Sequence, residues 1–399
     1  MKNKSLRLVI LLGSIFSLGS APFASANHRS GDFALPSLMA VGDYNRDGNV
    51  DLAVNLEGFD NVAIFQGDGQ GGFTLRSHIK TDTLPKGLDV GDINSDGKLD
   101  LISLDKWGYN IRVNLGDGTG GFTFANDLNG DGEPARIAIA DLNKDGKADL
   151  VFGALNESKI VIYFGDGEGG FSPSPLELEV SERVYTIVAA DFNKDTNLDI
   201  AATEFDPDTL DSDFVIFLSD GAGGFSQAGT FATNPQATTL KVADMNKDGN
   251  LDVIAAGAGA DNDTGLFIST FLGDGHGSFT LKELLDLGTG SIKGEIALAD
   301  FNEDGSLDVA FPESSKLTIR GDQSTTVLTF FGDGTGNLNA GPDITVEIEP
   351  DTAVASDLNK DGHMDLVVSN RTSATVSVLL GNGNGTFTTH ATIPVAAIP

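Results

Sequence analysis

Aspartate, asparagine and glycine recur in one acidic nine-residue pattern, D-x-N-x-D-(G)-x-x-D, found seven times along this 399-residue chain, six times with the glycine. In the first copy Asp43, Asn45 and Asp47 alternate, so a tightly turned backbone aims their side-chain oxygens at one point. Gly48 permits the turn, the carbonyl of Asn49 faces inward and Asp51 closes the shell. Oxygen-only donors with three carboxylates suit a hard cation, and the flexible, mixed shell suits calcium better than magnesium. The matching sets are Asp92, Asn94, Asp96, Lys98 and Asp100; Asp141, Asn143, Asp145, Lys147 and Asp149; and Asp191, Asn193, Asp195, Asn197 and Asp199. They continue with Asp244, Asn246, Asp248, Asn250 and Asp252; Asp300, Asn302, Asp304, Ser306 and Asp308; and Asp357, Asn359, Asp361, His363 and Asp365. In each set the seventh loop residue contributes its backbone carbonyl. The fourth copy carries Thr196 in place of glycine, and a β-branched residue resists positive φ, so this site is expected to be distorted or weaker.

One such stretch is usually a turn, because Asp, Asn and Gly are turn formers. Seven copies with Asp at positions one, five and nine need more than that. An EF-hand is the nearer competitor, but its twelfth residue is a glutamate and helices flank it. Here the twelfth residues are Val54, Ser103, Phe152, Ala202, Ala255, Phe311 and Val368.

Successive loops start 49, 49, 50, 53, 56 and 57 residues apart, so one structural unit is repeated seven times. Short apolar runs follow the loops, as in Asp51-Leu52-Ala53-Val54, and precede them, as in Arg136-Ile137-Ala138-Ile139-Ala140. The pattern predicts a loop joining two antiparallel strands. A third strand, such as 159–164, enters a second recurring turn, Gly67 to Phe73 in the first unit, whose aromatic begins a fourth strand. The last place of that turn is Phe122, Phe171, Phe225, Phe279, Leu338 and Phe387 in the later units. Its glycines suit a hairpin and its aromatic suits packing between neighbouring sheets.

A single flat sheet built from such units would accumulate twist and exposed edges, and radial repetition removes both problems. The expected fold is all-β: a seven-bladed β-propeller with four antiparallel strands per blade and the acidic loop between the first and second. After a leader at 1–26, the propeller should fill 27–399, with blades near 34–82, 83–131, 132–180, 181–233, 234–288, 289–347 and 348–395.

The loop DLNKDGKADL at 141–150 and the turn FGDGEGGF at 164–171 resemble the FG-GAP/VCBS repeat family of secreted, bacterial-type proteins, and more distantly the propeller of integrin alpha chains. Two motifs in fixed order carry the resemblance over nearly the whole chain after the leader. It implies that the matching Asp and Asn residues bind calcium, up to seven ions, with Thr196 the departure. It also implies adhesion, recognition or a scaffold for sugar-active enzymes.

Lys2, Lys4 and Arg7, the apolar run from Leu8 to Leu18 and Ala24-Ser25-Ala26 read as a signal peptide cleaved after Ala26. The run is short for spanning a bilayer, so the expected location is extracellular or periplasmic. The absence of cysteine excludes disulfides and thiol catalysis, leaving packing and metal ions as staples. The formal charge is -33, and although the recurring loop aspartates account for 21 of the 58 acids, the remainder still disfavours nucleic acid and anionic membranes as partners.

His28, His78, His276, His363 and His390 fall in different contexts, and neither a G-x-S-x-G elbow nor an H-E-x-x-H helix is present. A non-enzymatic recognition or adhesion module for a glycan or protein is therefore expected. A polysaccharide lyase or hydrolase is the alternative, and a structural surface component a third. Loops and G-D-G turns should share one face, so the other connections form the opposite one. There Phe59, Trp107 and Tyr109 are the expected edge of a ligand surface, helped by the connections from Glu204 to Asp213 and Gly257 to Gly265; the competing role for Trp107 is to cover a blade edge. Arg320-Gly321-Asp322 is an integrin-type tripeptide that arises readily by chance in a chain rich in Gly and Asp. Asp127 to Gly132 starts like another loop, but Ala135 stands at its ninth position, which favours a surface turn over an accessory cation site.

Overall fold

The structure, a computed structural model, describes residues 34–395 apart from 82–83, 106–108, 131, 210, 234–236, 259–264, 289 and 315–323. Within them seven antiparallel sheets follow one another, at 36–80, 85–129, 134–179, 183–232, 237–288, 297–345 and 350–394. The first contains β1 (Pro36–Gly42), β2 (Asp51–Leu56), β3 (Asn61–Gly67) and β4 (Phe73–Lys80), paired in chain order. Its register sets Gly42 opposite Asp51, Leu52 opposite Phe65 and Gly67 opposite Phe73. β2 is buried along its whole length whereas β4 is largely exposed, because apolar side chains on both faces of β2 meet neighbouring sheets while β4 lies at the rim.

The first strands of neighbouring blades pack against one another, and β1 meets Pro350–Ser356, the first strand of the last blade. This is the seven-bladed propeller expected from the repeat. Both terminal blades are built from contiguous strands, so the ring closes by side-chain packing rather than strand exchange. Leu52, Val54, Ala63 and Phe65 pack with Val367, Val376 and Val378 across that seam. Ser369 Oγ donates to the Ser37 carbonyl there at 2.8 Å.

Each apolar cluster joins two adjacent blades, and the second residue of every acidic loop belongs to one of them. Tyr44, Ile93, Leu142, Phe192, Met245, Phe301 and Leu358 are all buried in the cluster shared with the following blade. Tyr44 stands edge-on to Phe122 at 5.6 Å, Phe192 to Phe279 at 5.7 Å and Phe301 to Phe387 at 5.4 Å. The turn aromatic is therefore the interblade packing residue anticipated from the sequence.

The sixth blade departs from the pattern. Its first strand is only Ala297–Ala299; before it Ser291 pairs with Ser314 of the same blade, and Lys293 and Glu295 make contacts to other blades. Glu295 reaches Arg136 of the third blade at 3.2 Å and Lys241 of the fifth at 2.9 Å, while its carbonyl accepts from Ala353 N–H of the seventh at 3.0 Å. The added residues were visible as the interval of 56 between the fifth and sixth loops, but interval length alone does not say where they go.

Candidate functional site

The loops are closed by their own side chains before any ion is considered. In the first, Asp43 Oδ1 accepts the Asp47 N–H at 3.1 Å and Oδ2 the Gly48 N–H at 2.8 Å; Asn45 Oδ1 also accepts Asp47 N–H, and Asp47 Oδ1 accepts Asn49 N–H. Asp51, at position nine, has a wider task. It is buried, and its two oxygens accept the Tyr44 N–H at 3.0 Å and the Gly67 N–H at 2.9 Å, clamping the acidic loop to the G-D-G turn. A Cβ at Gly67 would collide with the Val50 carbonyl, so the close approach needs glycine there. The clamp recurs in Asp100, Asp149, Asp199, Asp252, Asp308 and Asp365, and it places loops and turns on one face.

Burial pushes all seven position-nine carboxyls up, Asp149 and Asp308 to about 6, while the backbone amides oppose the shift. Negative charge at position five adds to it in each loop. The exposed position-five carboxyls Asp47, Asp195, Asp248, Asp304 and Asp361 are instead held low, chiefly by the backbone amide two residues on.

The donor chemistry fits calcium. Carboxylate oxygens that accept one amide retain a lone pair, and in the seventh loop Asp357 Oδ1 is buried with no hydrogen-bond partner. Among the described residues no three His, Cys, Asp or Glu side chains are gathered to hold a metal, so the fit rests on the mixed set that includes Asn oxygens and the position-seven carbonyl.

Thr196 does not distort its loop, contrary to the expectation. It adopts φ +72° itself and donates its N–H to Asp191 Oδ2 at 2.8 Å, as Gly48 does to Asp43. The unfavourable conformation is carried by the threonine rather than by the donor geometry.

Position four supplies a feature the sequence pattern did not reveal. Its residue is left-handed in every loop and in several loops reaches the next blade. Lys144 Nζ bonds Thr196 Oγ1 at 2.7 Å, Lys247 Nζ bonds Ser306 Oγ at 3.0 Å and Lys360 Nζ bonds Asn49 Oδ1 at 2.7 Å across the seam. Arg46 donates to the Gly97 carbonyl, and Glu303 pairs with His363.

The opposite face is irregular. Phe59 is half-buried and packs on the cluster at the ring seam, and Tyr109 is exposed at φ +51°. Trp107, most of 257–265 and Arg320-Gly321-Asp322 lie outside the described residues. Glu204 and Asp213 are partners in paired strands rather than loop residues, and Glu204 Oε1 accepts Ser181 N–H at 2.7 Å. Asp127 also sits in a strand, Phe122–Asn129, and its carboxylate pairs with Arg112 at 3.0 Å, so it does not open a further cation loop.

Where the first strands begin, the channel opens into a cavity of about 330 Å³. Ser37, Lys86, Glu133, Arg136, Tyr185 and Asp351 line it from strand starts, and Glu57, Leu155 and Arg371 from the β2–β3-type connections. Glu57 receives Arg371 at 2.6 Å and Lys86 at 2.9 Å, and Arg371 also approaches Asp351 at 3.6 Å. Burial alone would raise Glu57, but these cations outweigh it and hold its carboxyl below the usual range. None of these residues belongs to the nine-residue motif, but Ser37, Lys86, Tyr185 and Asp351 each stand six residues before a loop start and Glu57, Leu155 and Arg371 fourteen after one. The repeat therefore places them, while their types vary from blade to blade.

The FG-GAP-like repeat matches residues 43–103, 92–152, 141–202 and 357–398, together just over half of the chain. An all-β ring of seven four-stranded blades carrying such repeats defines a propeller class. The chain belongs to the FG-GAP-like repeat proteins. Comparison with curated proteins gives no match. Among solved structures, it resembles a protein from Lactobacillus plantarum with TM-score 0.61 at 12% identity, over 90% of this chain and 96% of that one. It also resembles a Bacteroides uniformis protein provisionally assigned as a 6-phosphogluconolactonase, with TM-score 0.62 at 14% identity over 90% and 97% of the two chains. A functionally unknown protein from Desulfotomaculum acetoxidans gives TM-score 0.57 at 11% identity over 83% and 88%. At such identities the likeness is one of fold.

Proposed function

We propose that the chain is a secreted, calcium-braced recognition or adhesion module that takes a glycan or protein on the face away from its acidic loops. The observation that carries this reading is the cavity at the channel mouth, where side chains of mixed chemistry gather away from the acidic loops. Calcium at the loops would be held by Asp and Asn oxygens of positions one, three, five and nine with the position-seven carbonyl. It would supply neutralising charge rather than chemistry. In the mouth, paired cations outweigh burial and hold Glu57 and Glu295 low, whereas burial pushes the neighbouring Asp351 up. The mouth therefore contains carboxyls pushed apart, and turnover of a bound polysaccharide is what separates binding from the enzyme alternative.

The test is calorimetry with and without chelator beside a glycan and protein binding screen in both conditions. At a calcium concentration ten times each dissociation constant, each site adds about 1.4 kcal/mol, so seven add on the order of 10 kcal/mol. Chelation should therefore lower Tm markedly and abolish binding. An unchanged Tm removes calcium from the account, and turnover of a bound polysaccharide moves the chain to the enzyme alternative.

A further inference from the structure

The mouth cavity is richer in cations than the rest of the molecule. The chain holds 25 Lys and Arg against 58 Asp and Glu, yet four cations, Lys86, Arg136, Lys293 and Arg371, face three carboxylates in this lining. The two lysines also lie at a different depth from Glu57 and Asp351. Glu57 and Asp351 side chains are only 2% and 4% exposed, whereas those of Lys86 and Lys293 are 37% and 41% exposed. Glu57 and Asp351 thus form a floor that holds the guanidinium of Arg371, and the ammonium groups of Lys86 and Lys293 stand above it at the rim. Lys86 reaches Glu57 at 2.9 Å and Lys293 reaches Glu349 at 3.5 Å, and each ammonium has three donors, which leaves protons to offer a ligand.

The floor is closed by the blade-six segment, since Arg136 is tied to Glu295 at 3.2 Å and its guanidinium also meets the Lys293 carbonyl at 3.5 Å. A cup of this size with a closed floor suits one or two sugar rings better than an extended peptide. Leu38, Pro134, Ala135 and Leu155 give it apolar wall, and Tyr185, fixed edge-on against Phe205 at 5.7 Å, gives it an aromatic with a polar tip.

We propose that this cup binds an anionic saccharide, its carboxylate or sulfate group seated between Lys86 and Lys293 and its ring against the Pro134 and Tyr185 wall. The inference rests on the recognition reading and names the ligand class for its site. Anionic groups elsewhere on the molecule would be repelled by the loop face, so the cup also fixes the direction from which such a ligand approaches.

The experiment is isothermal titration of the calcium-loaded full chain with three oligosaccharide probes of equal length: an alginate uronate, a sulfated carrageenan and neutral dextran, with a polyglutamate peptide as a fourth. Binding of either anionic saccharide, weakened by salt and at least tenfold tighter than dextran and polyglutamate, is the expected result. The uronate and sulfate arms separate the two sources of negative charge. Lys86→Gln with Lys293→Gln should weaken that binding about tenfold or more at unchanged Tm, since Arg371 still pairs with Glu57. If the double variant misfolds, Lys293→Gln alone, at the more exposed position, serves the same purpose. Tighter binding of dextran or polyglutamate, or anionic binding unaffected by these substitutions, overturns the inference while leaving a recognition module intact. No binding of any probe overturns it too. The broader screen of glycans and proteins then decides separately whether recognition itself fails.

Discussion

The two faces of this propeller are built by opposite rules. On the loop face every blade repeats the same carboxylates, the same clamp from position nine to the turn and the same buried residue at position two. On the other face Glu295 of blade six reaches Arg136 and Lys241 of other blades, and equivalent positions carry opposite charge: Arg136 and Glu295 both stand five residues before a loop, and Glu57 and Arg371 both stand fourteen after a loop start. Regularity on one side holds the ring together, and that frees the other side to vary. A loop face serving stability should be sensitive to substitution wherever the clamp is touched, whereas the mouth should tolerate exchange of its exposed side chains.

The sharpest way to break this contrast is at a clamp. Asp149→Ala removes a buried carboxylate that accepts from Leu142 and Gly165 N–H at 2.9 and 2.8 Å, leaving two buried donors without a partner. The expected loss is about 3 kcal/mol, measured by urea unfolding, and it should appear with and without calcium. A loss confined to calcium-loaded protein would make position nine a ligand alone and not a structural clamp.

The channel wall between the faces gives the next effect. Asp89 lines the channel, reachable by solvent yet surrounded by protein; burial pushes its carboxyl up to about 6, while Val90 and Ile139 amides and Lys241 oppose the shift and Glu295 adds to it. Tyr44 also faces this charge. The folded pKa lies above the unfolded value of 3.8, so the folded state takes up the proton first. The stability tied to Asp89 is full below pH 3.8 and is lost as pH rises to about 6. Asp89→Asn should therefore stabilise the protein by about 2 kcal/mol at pH 7, a figure reduced for channel water, and by little at pH 4. Equal effects at both pH values would assign the change to the lost amide contacts.

How much of this was legible follows the same division. Asp43, Gly48 and Asp51 announce their loop because a turn that gathers oxygens needs those residue types at fixed spacing, and Phe122 announces packing because every turn ends the same way. Seven recurrences turn weak local signals into an architecture. Arg136 and Glu295 stand 159 positions apart, each five residues before its loop, but residue types at that position vary from blade to blade and only the folded ring brings these two to 3.2 Å. Asp127 is expected from the sequence in a surface turn, but pairing with Arg112 places it in a strand, a contact its loop-like neighbours in sequence do not announce.

Thr196 is where the loop face breaks its own rule, and it offers the smallest test. Left-handed backbone costs a residue with a β-carbon about 1 to 2 kcal/mol, and glycine avoids that cost. Glycine also loses more chain entropy on folding, by about 0.5 to 1 kcal/mol, and Thr196→Gly deletes the hydroxyl that bonds Lys144 at 2.7 Å. The net expectation is a gain of roughly 0.5 kcal/mol, read from the urea midpoint. Thr196→Asn, which tolerates the left-handed region and keeps an acceptor for Lys144, should gain at least as much. Since Asp191 and Asp195 already hold the same geometry as in the other loops, calcium affinity at the fourth site should stay within about twofold in both variants. A large change in affinity with unchanged stability would mean that the threonine deforms the donors after all, and that this blade's loop differs in chemistry and not only in strain.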